Sequence, residues 1–115
     1  MSEEEANSSG YRGTDEGSQL AGNSELWNDR NLDNNPEFGT SGFTALPAGY
    51  RYGYNGGYTS MGGSGYFWSS SEYNSHSAWY RKLSCNYSNV LRSSYYRQDG
   101  FSIRCLGDWG ISPLP

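Results

Sequence analysis

Residues 78–96 read AWYRKLSCNYSNVLRSSYY, and this stretch decides the fold. In its first eight residues, every second side chain falls on the same face of an extended strand. That face carries Trp79, Arg81, Leu83 and Cys85. The run VLRSSYY (90–96) is a second strand, because a short Asn- and Ser-rich segment such as 86–89 is typical of a hairpin turn. The stretch therefore predicts two antiparallel strands joined by a turn.

Further strands are predicted on either side of this hairpin. YFWSSS (66–71) is short and aromatic, and GFSIRCL (100–106) alternates between its two faces behind a turn at 98–100. The chain before residue 66 is rich in glycine and proline, with one weak helical nucleus after Asp15. We expect an α+β fold that is mostly β and irregular, in which long ordered loops surround a small, twisted antiparallel sheet of three or four strands.

The core of this domain is expected to be aromatic. The chain has 115 residues, enough for one domain, and 34% are hydrophobic while 17% are aromatic. Half of the hydrophobic set is therefore Tyr, Trp or Phe, whose rings bury large areas. The predicted core residues are Trp27, Phe43, Leu46, Phe67, Trp68, Trp79, Leu83, Val90, Phe101 and Ile103.

The distribution of charge argues against two kinds of partner. Residues 1–49 carry nine acids and two bases, for −7, whereas residues 50–115 carry six bases and three acids, for +3. A nucleic-acid-binding surface requires a clustered basic stripe, and a membrane span requires about 18 apolar residues in a row. We therefore expect neither nucleic-acid binding nor membrane insertion. The acidic start MSEEEANSSG also does not resemble a signal peptide.

Several motifs of this chain carry a family resemblance. They are SGFTALPAGYR (41–51), GYFWSSSEY (65–73), AWYRKL (78–83) and GFSIRC (100–105), with YRGTDEGSQLAG and LWND upstream. Together they resemble the Fibrobacter succinogenes major paralogous domain family, from about Tyr11 to Asp108. The resemblance implies a C-type-lectin-like fold related to that of formylglycine-generating enzymes. It also implies an extracellular or cell-surface location, because members are typically secreted or surface-attached proteins of Bacteroidetes and their relatives.

The same resemblance sets the expected domain boundaries. Residues 1–10 are expected to form a disordered leader, 11–108 the lectin-like domain, and 109–115 an irregular tail. Longer family members carry an upstream half with a segment resembling CPxGWHLP, which is not found in this chain. We therefore expect either a shortened variant or a fragment.

The two cysteines, Cys85 and Cys105, are candidates for a disulfide. Both fall on the same nominal strand face, and a bridge would close a loop of about 20 residues, worth roughly 3 kcal/mol. The alternative is two separate buried thiols, with the partner of Cys105 in the upstream half of longer members. Oxidation chemistry of the formylglycine-generating type needs two nearby cysteines and copper, and Cys85 has no close partner in sequence.

Other catalytic and metal sites are weakly indicated. The single histidine, His76, lies in a polar loop without a nucleophile elbow, and no phosphate-binding loop is present. The acids and amides that follow LWND are possible calcium ligands, but they lack EF-hand spacing and suit a loop that satisfies its own backbone. These residues are Asn28, Asp29, Asp33, Asn34 and Asn35. We expect no enzyme activity, no cofactor and no metal.

A binding face is the favoured functional interpretation. Residues 72–97 are rich in Tyr, Asn, Ser and Arg, the composition of antibody paratopes and of surfaces that stack on sugar rings. The candidate ligand-binding residues are Tyr73, Asn74, His76, Tyr80, Arg81, Asn86, Tyr87, Asn89, Arg92, Tyr95 and Tyr96. We expect a non-catalytic binding or adhesion module for carbohydrate or protein.

Three alternatives stay open for these residues. The tyrosines are equally suited to stabilising the sheet through cross-strand pairs. They also suit a structural module that associates with itself. Finally, the amino-acid types match those produced by adenine mutation, as in lectin-like proteins diversified by retroelements.

Overall fold

A computed structural model describes residues 2–104, and in this range the protein is mostly β with short helices. The strands are β1 (Gly10–Arg12), β2 (Tyr50–Arg51), β3 (Tyr58–Thr59), β4 (Ser64–Glu72), β5 (Ser77–Ser84) and β6 (Val90–Tyr96). The helices are α1 (Glu3–Ala6), α2 (Glu16–Leu20) and a 3₁₀ turn at Ser24–Leu26. An antiparallel sheet has the order β1-β6-β5-β4, and β2 pairs with β3 in a small second sheet. No helix in the described range is long and apolar enough to cross a membrane.

The central hairpin confirms the sequence prediction. Strands β5 and β6 pair with Arg81 opposite Arg92, and β4 pairs along the other edge of β5. The predicted strands 66–71, 78–85 and 90–96 match β4, β5 and β6 within two residues. A register shift between Trp68 and Glu72 separates the regular part of β4 from its exposed end.

The fourth strand of the sheet is β1, whereas the sequence predicted residues 100–106. Segment 100–104 instead links the two sheets through single bridges, with Gly100 opposite Arg51 and Ser102 beside Phe67. The N–H of Ser102 donates to the carbonyl of Tyr66 at 2.9 Å, and that of Trp68 donates to the carbonyl of Ser102 at 3.2 Å. The prediction failed because alternation does not reveal which backbone edge a segment meets. Residues 105–115, including Cys105 and the predicted tail, lie outside the described residues.

A disordered leader was predicted for residues 1–10, and within it the structure describes a short helix, α1. Ser2 Oγ accepts a hydrogen bond from the N–H of Glu5 at 3.1 Å and caps α1. The guanidinium groups of Arg81 and Arg92 donate to the carbonyls of Ala6 and Asn7, each at 2.5 Å. The composition of residues 1–10 gave no sign of this, because backbone carbonyls are acceptors in any sequence.

The core lies on both faces of the sheet. On one face, Phe67 packs against a buried cluster of Ala21, Trp27, Leu32, Ala45, Leu83 and Cys85. The opposite face carries an aromatic cluster, defined here as Tyr50, Tyr66, Trp68, Tyr80, Tyr95 and Phe101.

The predicted core list is therefore partly confirmed. Trp27, Leu83 and Val90 are buried as expected. The predictions for Leu46 and Ile103 were wrong, because these side chains are 39% and 71% exposed. Leu32, which is fully buried, was missed because it stands alone in a polar stretch.

Candidate binding site

The structure distributes the predicted ligand-binding residues over four places. Tyr80 and Tyr95 belong to the aromatic cluster, with ring centroids 5.1 and 6.0 Å from that of Phe101. Tyr80 is 7% exposed, so it supports the sheet and does not face a ligand. Burial raises the pKa of both tyrosines, because the charged phenolate is disfavoured away from water.

Arg81 and Arg92 lie on the opposite face of the sheet and are held by protein groups. In addition to its bond to Asn7, the guanidinium of Arg92 lies 3.7 Å from the centroid of the Trp79 ring. Such stacking is a cation–π contact that fixes the plane of the guanidinium. These two arginines thus form a site separate from the tyrosines named with them.

A third group lies at the turn between β4 and β5, where Tyr73 is 54% exposed, and at the adjoining end of β6, where Tyr96 pairs with Ser77 and is 58% exposed. The Oδ1 of Asn74 accepts hydrogen bonds from the N–H groups of His76 and Ser77, both at 2.9 Å. Arg97 closes the turn from the side, donating to the Asn74 carbonyl and pairing with Glu72 at 2.7 Å. This turn is exposed, and its conformation is fixed by these hydrogen bonds and this ion pair.

The remaining predicted residues, Asn86, Tyr87 and Asn89, line an open hollow of about 440 Å³. The other lining residues are Thr14, Asn31, Asn34, Asn35 and Ser88. Asn31 Nδ2 donates to the Asn86 carbonyl at 3.0 Å, which joins the loop to the turn. The hollow, called the asparagine hollow below, is thus rich in side-chain amides and contains one half-exposed tyrosine, Tyr87.

The loop after LWND satisfies its own polar groups, as one sequence interpretation expected. Asn34 Nδ2 donates to Asp29 Oδ1 at 2.5 Å and to the Arg30 carbonyl at 2.7 Å, and Asp33 Oδ1 accepts from the N–H of Arg30. Within residues 2–104, no group of three or more His, Cys, Asp or Glu side chains is arranged to hold a metal ion.

Among residues 2–104, the two most exposed aromatic side chains, Tyr54 and Tyr58, were not on the predicted list. Residues 50–59, called the tyrosine loop below, comprise β2, β3 and the turn that joins them. Tyr52, Tyr54 and Tyr58 on this loop are 36%, 84% and 76% exposed. The signal was present in the stretch RYGYNGGYT, where tyrosines recur among glycines. All of the predicted ligand-binding residues lie between Tyr73 and Tyr96, so this stretch was not predicted as a binding site.

Backbone hydrogen bonds fix the shape of the tyrosine loop. The N–H of Tyr52 donates to the Gly57 carbonyl, and that of Gly56 donates to the Tyr52 carbonyl, both at 2.8 Å. The N–H of Gly53 donates to Oδ1 of Asp99 at 2.7 Å, and Asp99 is buried. The loop therefore presents exposed rings on an ordered backbone.

The tyrosine loop is continuous with the aromatic cluster. Tyr50 contacts Tyr66 at 4.8 Å and Phe101 at 5.8 Å between ring centroids. Beside Tyr50, a hollow of about 270 Å³ is lined by Tyr50, Tyr52, Asn55, Gly57, Tyr58 and Thr59. Aromatic faces and an amide around one hollow match the apolar and polar faces of a sugar ring.

The sequence of the chain decides its family. The model of the Fibrobacter succinogenes major domain matches residues 1–106. The chain belongs to this family. No curated protein and no solved structure matches the chain. The family match includes the first ten residues, which contain α1 and the start of β1.

The motifs that identify this Fibrobacter succinogenes major domain build its scaffold. In SGFTALPAGYR (41–51), the N–H of Ala45 donates to the Leu20 carbonyl and the N–H of Gly49 to the Ser64 carbonyl, both at 2.8 Å. The motif ends at β2, where the tyrosine loop begins. The motif thus joins the loop to the core and the main sheet.

Proposed function

We propose that this domain is a non-catalytic binding module of an extracellular or cell-surface protein, and that it binds carbohydrate through the tyrosine loop. One observation carries the proposal: Tyr52, Tyr54 and Tyr58 are exposed on a backbone fixed by hydrogen bonds. A rigid loop loses little conformational entropy when it binds, so its exposed aromatic area is available for affinity. The secreted or surface location is proposed because members of the family are typically secreted or attached to the cell surface.

The chemistry of the loop suits a sugar better than a wholly apolar partner. Asn55 Oδ1 accepts from the N–H of Gly57 at 2.8 Å, and its amide nitrogen still offers two donor hydrogens. Tyrosine adds large, rigid contact area with a hydroxyl at its tip. A hexose ring stacked on one tyrosine would find hydroxyl and amide partners at its edge.

The asparagine hollow is a second candidate for the same kind of ligand. Its amides combine donors and acceptors, and each of Asn31 and Asn86 retains hydrogen-bonding capacity beyond the bonds that shape the hollow. The Tyr87 ring, 4.6 Å from that of Tyr11, provides one aromatic wall. This site would bind a more hydrated ligand than the tyrosine loop would.

A C-type-lectin-like fold is part of this proposal. Its support is a small antiparallel sheet with long loops docked onto it, together with membership of a family to which that fold is ascribed. An experimental structure compared with lectin-like domains would test the fold directly. Diversification by a retroelement is an alternative origin for residues 72–97, and a neighbouring reverse-transcriptase gene would support it.

The experiment is a glycan-array screen of four proteins with verified folds. Wild type is compared with Tyr54→Ala/Tyr58→Ala, with Tyr87→Ala, and with Tyr73→Ala as a control whose side chain is also exposed. We expect binding to be lost in the double variant and kept in the other two. Loss in Tyr87→Ala alone would assign the ligand to the asparagine hollow.

Self-association is the competing function of the tyrosine loop. If wild type binds no glycan and its sedimentation depends on concentration, while Tyr54→Ala/Tyr58→Ala remains monomeric, the carbohydrate proposal is replaced by a structural one. Glycan binding that survives all three variants would reject both surfaces.

A further inference from the structure

The cross-strand pair Arg81 and Arg92 places two like charges directly opposite each other. The two residues are register partners in β5 and β6, and they share one face of the sheet. Like charges directly opposite each other on neighbouring strands are destabilising. The pair therefore requires an anionic or carbonyl partner.

In the described structure, the hydrogen-bond partners of this pair are carbonyls and not carboxylates. Arg81 donates to the Ala6 carbonyl and Arg92 to the Asn7 carbonyl, each at 2.5 Å. Within residues 2–104 the structure contains one ion pair, between Arg97 and Glu72. The carbonyls at the end of α1 carry only partial negative charge, so the two guanidinium charges are not balanced.

A third arginine and an apolar wall complete the surroundings. Arg12 lies with Ala6, Glu16, Leu20, Arg81 and Val90 around a hollow of about 260 Å³. The Nε of Arg12 is buried and has no hydrogen-bond partner among the described residues. Oε1 of Glu16 accepts from the N–H groups of Thr14 and Asp15 at 2.7 and 3.1 Å, so this carboxylate is engaged with the backbone.

Two features favour ligand binding over simple docking of the first residues. The two guanidinium groups donate to the carbonyls of successive residues, so both donors face the same short segment and could serve one oxyanion there. The segment that provides those carbonyls has no buried residue in α1, and its side chains Glu3, Glu4 and Glu5 are exposed. It therefore contributes little apolar burial that a ligand would have to replace.

We propose that Arg81 and Arg92, with Arg12 beside them, form a binding site for an oxyanion group, and that residues 2–9 cover this site until the ligand displaces them. The ligand class is a carboxylate- or sulfate-bearing molecule. A guanidinium binds either group through paired N–H donors. The stacking of Arg92 on Trp79 holds one fork in a defined plane.

The test is an NMR titration of the full chain with sodium sulfate and, separately, with sodium acetate, each against sodium chloride at equal ionic strength. The side-chain N–H signals of Arg81, Arg92 and Arg97 are followed together with the amides of Ala6 and Asn7. We expect saturable shifts at Arg81 and Arg92, and faster hydrogen exchange at Ala6 and Asn7 as α1 is released. The stronger of the two salts identifies the oxyanion.

Matched variants make the result specific. Arg92→Gln is expected to weaken binding at least tenfold, and Arg92→Lys to weaken it less because the charge remains. Arg97→Gln, which removes an exposed arginine, is expected to leave binding unchanged. If Arg92→Gln does not fold, Arg92→Lys alone still shows whether binding depends on the paired guanidinium donors or only on the positive charge.

Three results would overturn the proposal. Shifts at Arg97 as large as those at Arg81 and Arg92, or shifts that grow linearly with salt concentration, would indicate general ionic effects. Saturable shifts without faster exchange at Ala6 and Asn7 would contradict the displacement of residues 2–9. An unchanged affinity in folded Arg92→Gln would remove the arginine pair from the site.

Discussion

Gly49 shows how one residue fixes the approach of the tyrosine loop to the main sheet. Its φ is +67°, and a Cβ added at this position would collide with the Thr59 carbonyl oxygen and lie 2.9 Å from the N of Met61. The residue also joins β4 by its N–H bond to Ser64. Both the backbone conformation and the close contact therefore require glycine.

Gly49→Ala is expected to lower the free energy of unfolding by about 2–4 kcal/mol, because strain at positive φ and a backbone collision add together. Urea unfolding measures this loss. Gly42→Ala is the control, since Gly42 has φ +78° but no atom within 4 Å of an added Cβ. It should cost only about 1 kcal/mol, and an equal loss in both variants would show that the contact with Thr59 is unimportant.

The tyrosines whose pKa is raised by burial are expected to make the folded protein less stable at alkaline pH. Burial raises the pKa of Tyr80 above its ordinary value of 10.0, and the same cause raises the pKa values of Tyr11, Tyr50 and Tyr95. Above about pH 10 the unfolded chain releases these protons before the folded protein does. The stability contributed by the neutral hydroxyls is thus complete below pH 10 and is lost as the pH rises through the raised values.

Urea unfolding between pH 8 and pH 11 is expected to show this decline, with tyrosinate absorbance recorded in parallel. Tyr80→Phe should be less stable at pH 8, because it loses its hydroxyl, and should decline less steeply above pH 10. A decline as steep as that of wild type would mean that Tyr80 does not contribute. Tyr54→Phe is the exposed control.

At the scale of elements, the sequence predicted what depends on side-chain alternation. Strand β5 was located because Trp79, Arg81, Leu83 and Cys85 recur with a period of two, and β6 because it follows a polar turn. Strand β1 was missed because three residues in a polar region carry no periodic signal. Residues 100–104 also alternate between apolar and polar side chains, but this segment meets β4 through a single parallel bridge at Ser102.

Phe101 is the residue by which that segment stabilises the aromatic cluster. Its ring stacks on Trp68 at 4.2 Å between centroids and is 5.0 Å from Tyr66. Phe101→Ala is expected to cost about 3 kcal/mol in urea unfolding and to weaken the near-ultraviolet circular dichroism. Ile103→Ala, two residues later at a 71% exposed position, should change stability by less than about 0.5 kcal/mol. A small effect of Phe101→Ala would mean that the cluster does not depend on this ring.

At the scale of the whole molecule, long loops are joined to the sheets by backbone bonds. The N–H of Leu32 donates to the Cys85 carbonyl at 3.1 Å, that of Cys85 to Gly63 at 2.8 Å, and that of Asn28 to Gly62 at 2.8 Å. Such bonds involve no particular side chain, which is why the candidate site was predicted only in part. Asn86, Tyr87 and Asn89 were named as ligand-binding residues. The loop that completes their hollow was considered only as a possible calcium site, through Asn34 and Asn35, and Asn31 was not named.

Hydrogen exchange is expected to show these loops protected together with the sheet. The amides of Asn28, Leu32 and Gly49 should exchange at rates within about tenfold of those in β5, because they open with the same cooperative unit. Exchange at the rates of an unstructured peptide would show that the loops move independently of the strands.

The turn between β4 and β5 offers a place to insert foreign sequence. Beyond the register shift that follows Trp68, residues 73–76 are exposed, and the turn is closed by Asn74, Arg97 and Glu72 without a core side chain. Exposed loop tips of this kind tolerate insertion. A peptide epitope inserted between Tyr73 and Asn74 would leave the hydrogen bonds of Asn74 to His76 and Ser77 in place, which makes the domain a small scaffold for presentation.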